Sequence, residues 1–343
     1  MRIADFSYEL PPDRIAQTPA EPRDASRLLV VPRDGSPFRD AGFRELPEYL
    51  RPGDLLVAND TRVVPARLWG RKETGGRVEL LLLTREGPDR WSALVRGAKR
   101  SRPGTRIDVA PQVRAEVTEV RGDGVYGVRL EAPGDPLEAV EALGEMPLPP
   151  YIRREAPDPR DREWYQTLFA RKEKAGSAAA PTAGLHFTPR VLEALDARGV
   201  ERATVTLHVG LGTFLPVRAE HLDDHRMHRE WFEVSLKAAR AINQALEEGR
   251  RVVAVGTTTT RVLEHAARTG RVEAGVGWTD LFLRPGHRFR VVQGLLTNFH
   301  LPESTLLVLG CALGGTERVL AAYRHAVAAG YRFYSYGDAM LLV

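Results

Sequence analysis

The chain has almost none of the residues that mark several kinds of chemistry. Among its 343 residues there is one cysteine, Cys311. That excludes an internal disulfide and a zinc cage built of thiolates. Cys311 stands in the apolar run "TLLVLGCAL" and reads as a small core residue. No apolar run reaches the ~18 residues of a membrane span. The opening "MRIADFSYELP" puts Asp5 and Glu9 where a secretory signal would have its apolar centre, so a cytoplasmic protein with no membrane contact is expected. The nucleotide fingerprints are missing too. "HVGLGTFLPV" lacks the G-x-G-x-x-G spacing, and "GTTTTR" lacks the lysine of a triphosphate-binding loop. His221 and His225 have a zinc-like four-residue spacing, but Arg226 and Arg229 beside them oppose a cation, so no metal is expected. There is no internal repeat and no low-complexity tract beyond short alanine runs.

What is present points to a chain of about two domains with a sizeable core: 43% of residues are hydrophobic and 27% charged. The net charge of +4 says little by its size. Its distribution says more. Residues 96–106, "RGAKRSRPGTR", hold five basic residues and no acidic one, and "RLWGRK" at 67–72 holds three and none. A polyanion-facing patch and a merely solubilising surface both fit. On the first reading Arg67, Arg71, Lys72, Arg96, Lys99, Arg100 and Arg102 are candidate RNA contacts.

Residues 62–154 are a series of short β-rich runs separated by "TGG", "RPG" and "GDG" turns, which suits a small antiparallel barrel or sandwich. The prolines of "GEMPLPPYIRR" read as an extended connector out of it. The rest alternates helix and strand. Thr188-Pro189 opens a helix with Val191, Leu192 and Leu195 on one face, closed by Gly199. Ser235 caps another, with Leu236, Ala239, Ile242 and Leu246 as its stripe, and Thr316 begins the last. "YRFYSYG" reads as a final strand, and "TLLVLGCAL" fits a buried strand or a helix. The expectation is an α/β layered main domain, discontinuous over 1–61 and 155–343, with an inserted antiparallel β-barrel domain at 62–154.

Four segments set glycine or threonine beside histidine or arginine at a strand end or helix start. "APTAGLHFT" offers Thr182, a bare backbone at Gly184, the imidazole of His186 and the ring of Phe187. It reads equally as a turn before a capped helix, with Phe187 in the core. "TLHVGLGTF" offers His208, Gly210, Gly212 and Phe214, or a glycine bulge. "VGTTTTRVLE" puts Thr257, Thr258, Thr259 and Arg261 at a helix start, where free N–H groups and a guanidinium hold anions. "LTNFHLPES" adds Asn298, Phe299 and His300.

Taken together, "NDTRVVPARL", "GSAAAPTAGLHFT", "VTLHVGLGTF", "GTTTTRVLE", "LTNFHLPESTLL" and "YRFYSYGDAM" closely resemble, in order and position, the S-adenosylmethionine:tRNA ribosyltransferase-isomerase family. The resemblance covers the whole chain. It implies an α/β domain with a barrel insert. It also implies transfer of the ribosyl group of S-adenosylmethionine to 7-aminomethyl-7-deazaguanine at the tRNA wobble position, giving epoxyqueuosine, adenine and methionine. No cofactor beyond the donor is implied. On that basis His186, His208 and His300 are candidate proton shuttles. Arg261 and the threonines would hold the methionine carboxylate or a phosphate, and Phe187, Phe214 and Phe299 would stack on bases. A monomer is expected. Two other classes fit parts of the chain: a non-catalytic RNA-binding module would explain the basic insert, and a nucleoside hydrolase would explain the threonine loop.

Overall fold

The computed structural model describes residues 1–97, 101–122, 124–210 and 219–343. In chain order the strands are β1 (Arg27–Val31), β2 (Arg39–Gly42), β3 (Leu55–Asn59), β4 (Arg62–Val63), β5 (Arg67–Lys72), β6 (Arg77–Arg85), β7 (Arg90–Arg96), β8 (Arg106–Ala110) and β9 (Val113–Gly122). They continue as β10 (Val125–Glu131), β11 (Ala175–Ser177), β12 (Glu201–Leu207), β13 (Glu230–Val234), β14 (Val252–Val255), β15 (Gly275–Thr279), β16 (Gly294–Asn298) and β17 (Ala339–Leu342).

Nine of them form one mixed sheet, in the order β15-β13-β12-β3-β14-β16-β17-β1-β2. Its centre, β12-β3-β14-β16, is parallel throughout. Every residue of β3, β14 and β16 is buried, as expected of parallel strands with helices over both faces. The parallel register also brings the C-terminal ends of these four strands to one edge, and that edge carries the site described below.

The barrel is closed, in the order β10-β7-β6-β5-β8-β9, with antiparallel pairs all round. Leu68, Leu80, Ala93, Ile107, Val117 and Leu130 fill it. Gly70 is required where β5 crosses β8: a Cβ there would lie 2.6 Å from Ile107 Cγ2 and 2.8 Å from Asp108 O. The helix Pro136–Leu143 follows, and its Val140 joins the barrel core. The chain then packs Met146, Leu148 and Ile152 into the core of the main sheet. The proline-rich connector is therefore an anchor between the two cores. The α/β main body with an antiparallel barrel insert is the architecture expected from the sequence.

Local signals placed most helices. Thr188 accepts from Val191 N and Pro189 opens the helix Pro189–Ala197; Gly199 follows at φ 76°. Ser235 caps Leu236–Glu247 through Ala238 N at 3.1 Å. The stripe of that helix is shifted from the expected one, since Ala238, Ala239, Ile242, Asn243 and Ala245 are buried while Leu236 at its first turn is 58% exposed. "TLLVLGCAL" is a helix, Thr305–Gly314, capped by Ser304 through Leu307 N at 3.2 Å and buried nearly all round. Cys311 is in the core as expected, and burial pushes its thiol up to about 12.

"YRFYSYG" is not a strand. Phe333 makes one isolated bridge to Ile15, Tyr334 turns at φ 71°, and the last strand begins only at Ala339. Gly337 allows that turn, because a Cβ would lie 2.5 Å from Arg332 O. Among the described residues no single helix is long and apolar enough to cross a membrane.

Candidate active site

The site begins with Asn59 at the end of β3. Its Oδ1 accepts from Thr61 N at 3.0 Å and Leu207 N at 3.1 Å, and its Nδ2 donates to Leu207 O at 3.0 Å and Thr258 Oγ1 at 3.3 Å. One amide thus fixes β3, the end of β12 and the start of the helix Thr257–Ala266. At this carboxyl edge of the parallel strands, where α/β proteins hold ligands, lies a cavity of about 370 Å³. Small-molecule sites run from roughly 300 to 1,000 Å³.

The lining includes the start of a helix and a buried ion pair. The helix Thr257–Ala266 starts without a side-chain cap at Gly256 (φ 89°), so its first N–H groups are left for another partner. Thr257 and Thr258 line the cavity. Thr259 and Thr260 do not; their hydroxyls donate back to Val255 O and Gly256 O at 2.7 and 3.1 Å, and both side chains are fully buried. Thr259 therefore leaves the set of substrate contacts, because its donor is spent inside the helix. Arg261 lines the cavity at 5% exposure, paired with Glu230 and donating from Nε to Leu281 O at 3.1 Å. Its Nη2 has no partner among the described residues. Glu230 is held in place by Gly210 N at 3.0 Å.

The lining also carries His300, at the turn after β16. Its Nε2 lies 2.8 Å from Thr297 Oγ1, and its backbone N donates to Tyr323 Oη at 3.0 Å. Burial lowers its pKa to about 3, so the ring is neutral at physiological pH. Asn298, Thr297, Tyr334, Ser335 and Tyr151 line the same cavity. Tyr334 stacks on Tyr151 with ring centroids 4.3 Å apart. A non-glycine residue at positive φ on a cavity wall marks a place where the fold holds strain at a functional site.

The structure brings Thr182, Thr257, Thr258, Arg261, Asn298, Phe299 and His300 to one cavity and leaves the other described candidates outside it. His186 sits behind Asn298, buried at 4% exposure, bonded to Ser26 and Asn298 and stacked on Phe43. Burial lowers its pKa to about 3, with Arg332 and Arg23 adding to the effect. His208 bonds Thr61 Oγ1 at 2.8 Å and stacks on Trp231 at 4.7 Å, off the cavity wall; burial, then Lys174, lowers it to about 4. Phe187 is fully buried edge-on to Phe43 and Phe169, so it is a core ring and not a stacking surface. Phe299 borders the cavity, but its ring packs among Tyr323, Tyr331 and Phe333 with no exposure. Gly184 packs against Thr167 and Phe169. Gly210 acts through Glu230. Gly212 and Phe214 lie outside the described residues.

On the barrel, Arg67 is committed. It pairs with Glu79 at 3.2 Å and donates to Leu148 O at 3.1 Å, bracing the connector instead of facing RNA. Arg71, Arg96 and Arg102 are exposed, and Lys72 is half-buried. Lys99 and Arg100 lie outside the described residues.

A buried guanidinium, an open helix N-terminus and a neutral imidazole line one cavity at the carboxyl edge of an α/β sheet with a barrel insert, a lining suited to a compact anionic or zwitterionic ligand. The chain belongs to the queuosine biosynthesis protein family, whose profile matches residues 3–342. It is 59% identical over 346 residues to the S-adenosylmethionine:tRNA ribosyltransferase-isomerase of Anaeromyxobacter sp. (strain Fw109-5), covering 100% of this chain and 99% of the relative. It is 52% identical over 347 residues to that of Heliobacterium modesticaldum (strain ATCC 51547 / Ice1), covering all of both. A crystal structure of S-adenosylmethionine tRNA ribosyltransferase from Thermotoga maritima matches with a TM-score of 0.57 at 39% identity, over 99% of this chain and 100% of that one.

Proposed function

We propose that the chain is an S-adenosylmethionine-dependent tRNA ribosyltransferase-isomerase of queuosine biosynthesis. It moves and isomerises the ribosyl group of S-adenosylmethionine onto 7-aminomethyl-7-deazaguanine at the tRNA wobble position, giving epoxyqueuosine-tRNA, adenine and methionine. The names of full-length relatives above 50% identity support this. The structural observation that carries it is that Arg261 and His300 line the same cavity.

Each group then has a task. Arg261 Nη2 and the free N–H groups at Thr257 and Thr258 take the methionine carboxylate. His300 is neutral; with its Nε2–H turned to Thr297 Oγ1, Nδ1 presents a lone pair. The sulfonium acidifies the neighbouring ribosyl C–H, and Nδ1 takes that proton as the C–N bond to adenine breaks. The acceptor amine takes the sugar carbon that adenine leaves, and its displaced proton goes to the departing adenine. The carbanion beside sulfur bonds the same carbon and releases the ring oxygen from it as an alkoxide. A sugar alkoxide then displaces methionine from the same carbon chain, forming the epoxide C–O bond as the C–S bond breaks. The Tyr151–Tyr334 stack is the aromatic wall for a flat base. The exposed Arg71, Arg96 and Arg102 of the barrel face the tRNA backbone, with the insert at 62–154 acting as one RNA-facing unit.

The test is incubation with ribose-labelled S-adenosylmethionine and tRNA carrying the precursor base. Label in the RNA is expected. Adenine release without tRNA would point instead to a hydrolase, and RNA binding without either product would point to a binding module.

A further inference from the structure

The orientation of the Asn298 amide follows from its neighbours. One terminal atom lies 3.1 Å from the backbone oxygen of Tyr334. A carbonyl oxygen only accepts, so the atom facing it is the NH2 nitrogen. The same nitrogen lies 3.1 Å from His186 Nε2, which must therefore offer a lone pair. The ring proton is then on Nδ1, which donates to Ser26 Oγ at 2.8 Å. A charged ring would set a second N–H against the NH2 group and break this chain. Burial against Phe43 keeps the ring neutral.

Both hydrogens of Asn298 are thus used. Its Oδ1 has no partner among the described residues, although the side chain is 1% exposed and lines the cavity. A buried acceptor left unpaired is unfavourable until a donor meets it. The carbonyl that fixes the amide belongs to Tyr334, itself held at φ 71° by its N–H to Phe299 O at 3.1 Å. The Tyr334 hydroxyl likewise has no partner among the described residues, beside the stacked Tyr151 ring. A neutral acceptor next to an aromatic wall suits an uncharged amino group, whereas an ammonium would be drawn to the Glu230 carboxylate on the same cavity.

We propose that Asn298 Oδ1 accepts an N–H from an uncharged amino group of a substrate, and that His186, anchored by Ser26, is the positioning residue that presents this acceptor. The proposal rests on the function proposed above for the identity of the substrates. Two of them carry such a group: the adenine ring of the sulfonium donor as it stands, and the aminomethyl arm of the acceptor base once it has given up its ammonium proton to become the nucleophile.

Calorimetric binding to the intact chain separates the two sources. The first pair is S-adenosylmethionine against its analogue with hydrogen in place of the purine amino group. The second is precursor tRNA against tRNA whose base lacks the aminomethyl arm. The wild-type chain should prefer the amino-bearing member of one pair by roughly 10- to 100-fold, and that pair names the source. His186→Phe, which cannot accept from Asn298, should bring the ratio towards one. His186→Gln, whose side-chain oxygen can accept, should restore it. If His186→Phe does not fold, Ser26→Ala frees the ring tautomer and should lower the same ratio. A wild-type chain with no preference in either pair, or a preference that survives both His186→Phe and Ser26→Ala, would overturn the proposal. Binding is read here and not turnover, so failure of label transfer would count against the function and leave this ratio to decide the site.

Discussion

Arg261 and Glu230 form an ion pair on the wall of the cavity, each at about 6% side-chain exposure, and the second terminal nitrogen of the guanidinium has no partner among the described residues. A buried pair of this kind gives little net stability, but breaking it strands a charge. Arg261→Ala should therefore cost about 3–5 kcal/mol in stability, read as a lowered denaturation midpoint. Arg261→Met combined with Glu230→Gln should recover most of the stability and none of the affinity for S-adenosylmethionine. Recovery of both would show that Arg261 is only a brace.

His300 is the one histidine of the three candidates on the cavity wall. His300→Ala should lower turnover by about 10²–10⁴-fold with a smaller effect on donor affinity. With the ring held near a pKa of about 3, kcat/KM should show no acid limb from this residue until the pH falls below about 4. A limb near pH 6.5 that disappears in His300→Gln would mean that the ring titrates as an exposed histidine does.

Burial of His186 and His300 as neutral rings also sets an acid limit on stability. Both have folded pKa values of about 3, lowered from 6.5. Between those values the unfolded chain binds more protons than the folded one, so stability rises with pH. The contribution is complete above about pH 7 and is lost progressively from pH 6.5 towards 3, each ring adding a slope of up to about 1.4 kcal/mol per pH unit. Denaturant midpoints from pH 8 to 4 measure it. In His186→Gln the acid slope should become shallower by one such share.

Phe187 should behave as core. Its ring sits 5.1 Å from Phe43 and 5.0 Å from Phe169. Phe187→Ala should destabilise by about 3–5 kcal/mol, while Phe187→Leu should keep KM for both substrates near the wild-type value. A KM effect without a stability effect would restore the ring to the binding site.

The exposed barrel arginines give a salt-dependent prediction. Replacing Arg71, Arg96 or Arg102 by Ala should weaken tRNA binding and reduce the slope of log K against log salt by about one per lost phosphate contact. Arg67→Ala should act mainly on stability, since its partners are Glu79 and Leu148.

The sequence made the fold legible wherever the signal was local. Thr188, Ser235 and Ser304 cap as their positions imply, and strands separated by turns form the barrel. It misled where alternation had another cause. In "YRFYSYG" Tyr331, Phe333, Tyr334 and Tyr336 all join the main core, although the chain turns at Tyr334, which also borders the cavity, so aromatic spacing imitated a strand. In the site, the threonine–arginine loop and His300 were found from their own segments. Glu230 and Tyr334 were missed. Glu230 lies in "REWFEV", which reads as plain strand alternation, and gains its role only by meeting Arg261 from another element. Tyr334 gains its role from a backbone turn that side-chain identity does not encode. His186 was found in its own segment, but its place behind Asn298 and against Phe43 shows only once its neighbours from other elements are known.

The proposed function requires donor chemistry in the cavity shared by Arg261 and His300. A crystal structure of the chain with S-adenosylmethionine and tRNA carrying the precursor base tests it directly. The methionine carboxylate is expected at Arg261 Nη2 and the Thr257 end of its helix, with the ribosyl carbons within reach of His300 Nδ1. Donor density at another site, with this cavity holding only solvent, would contradict it.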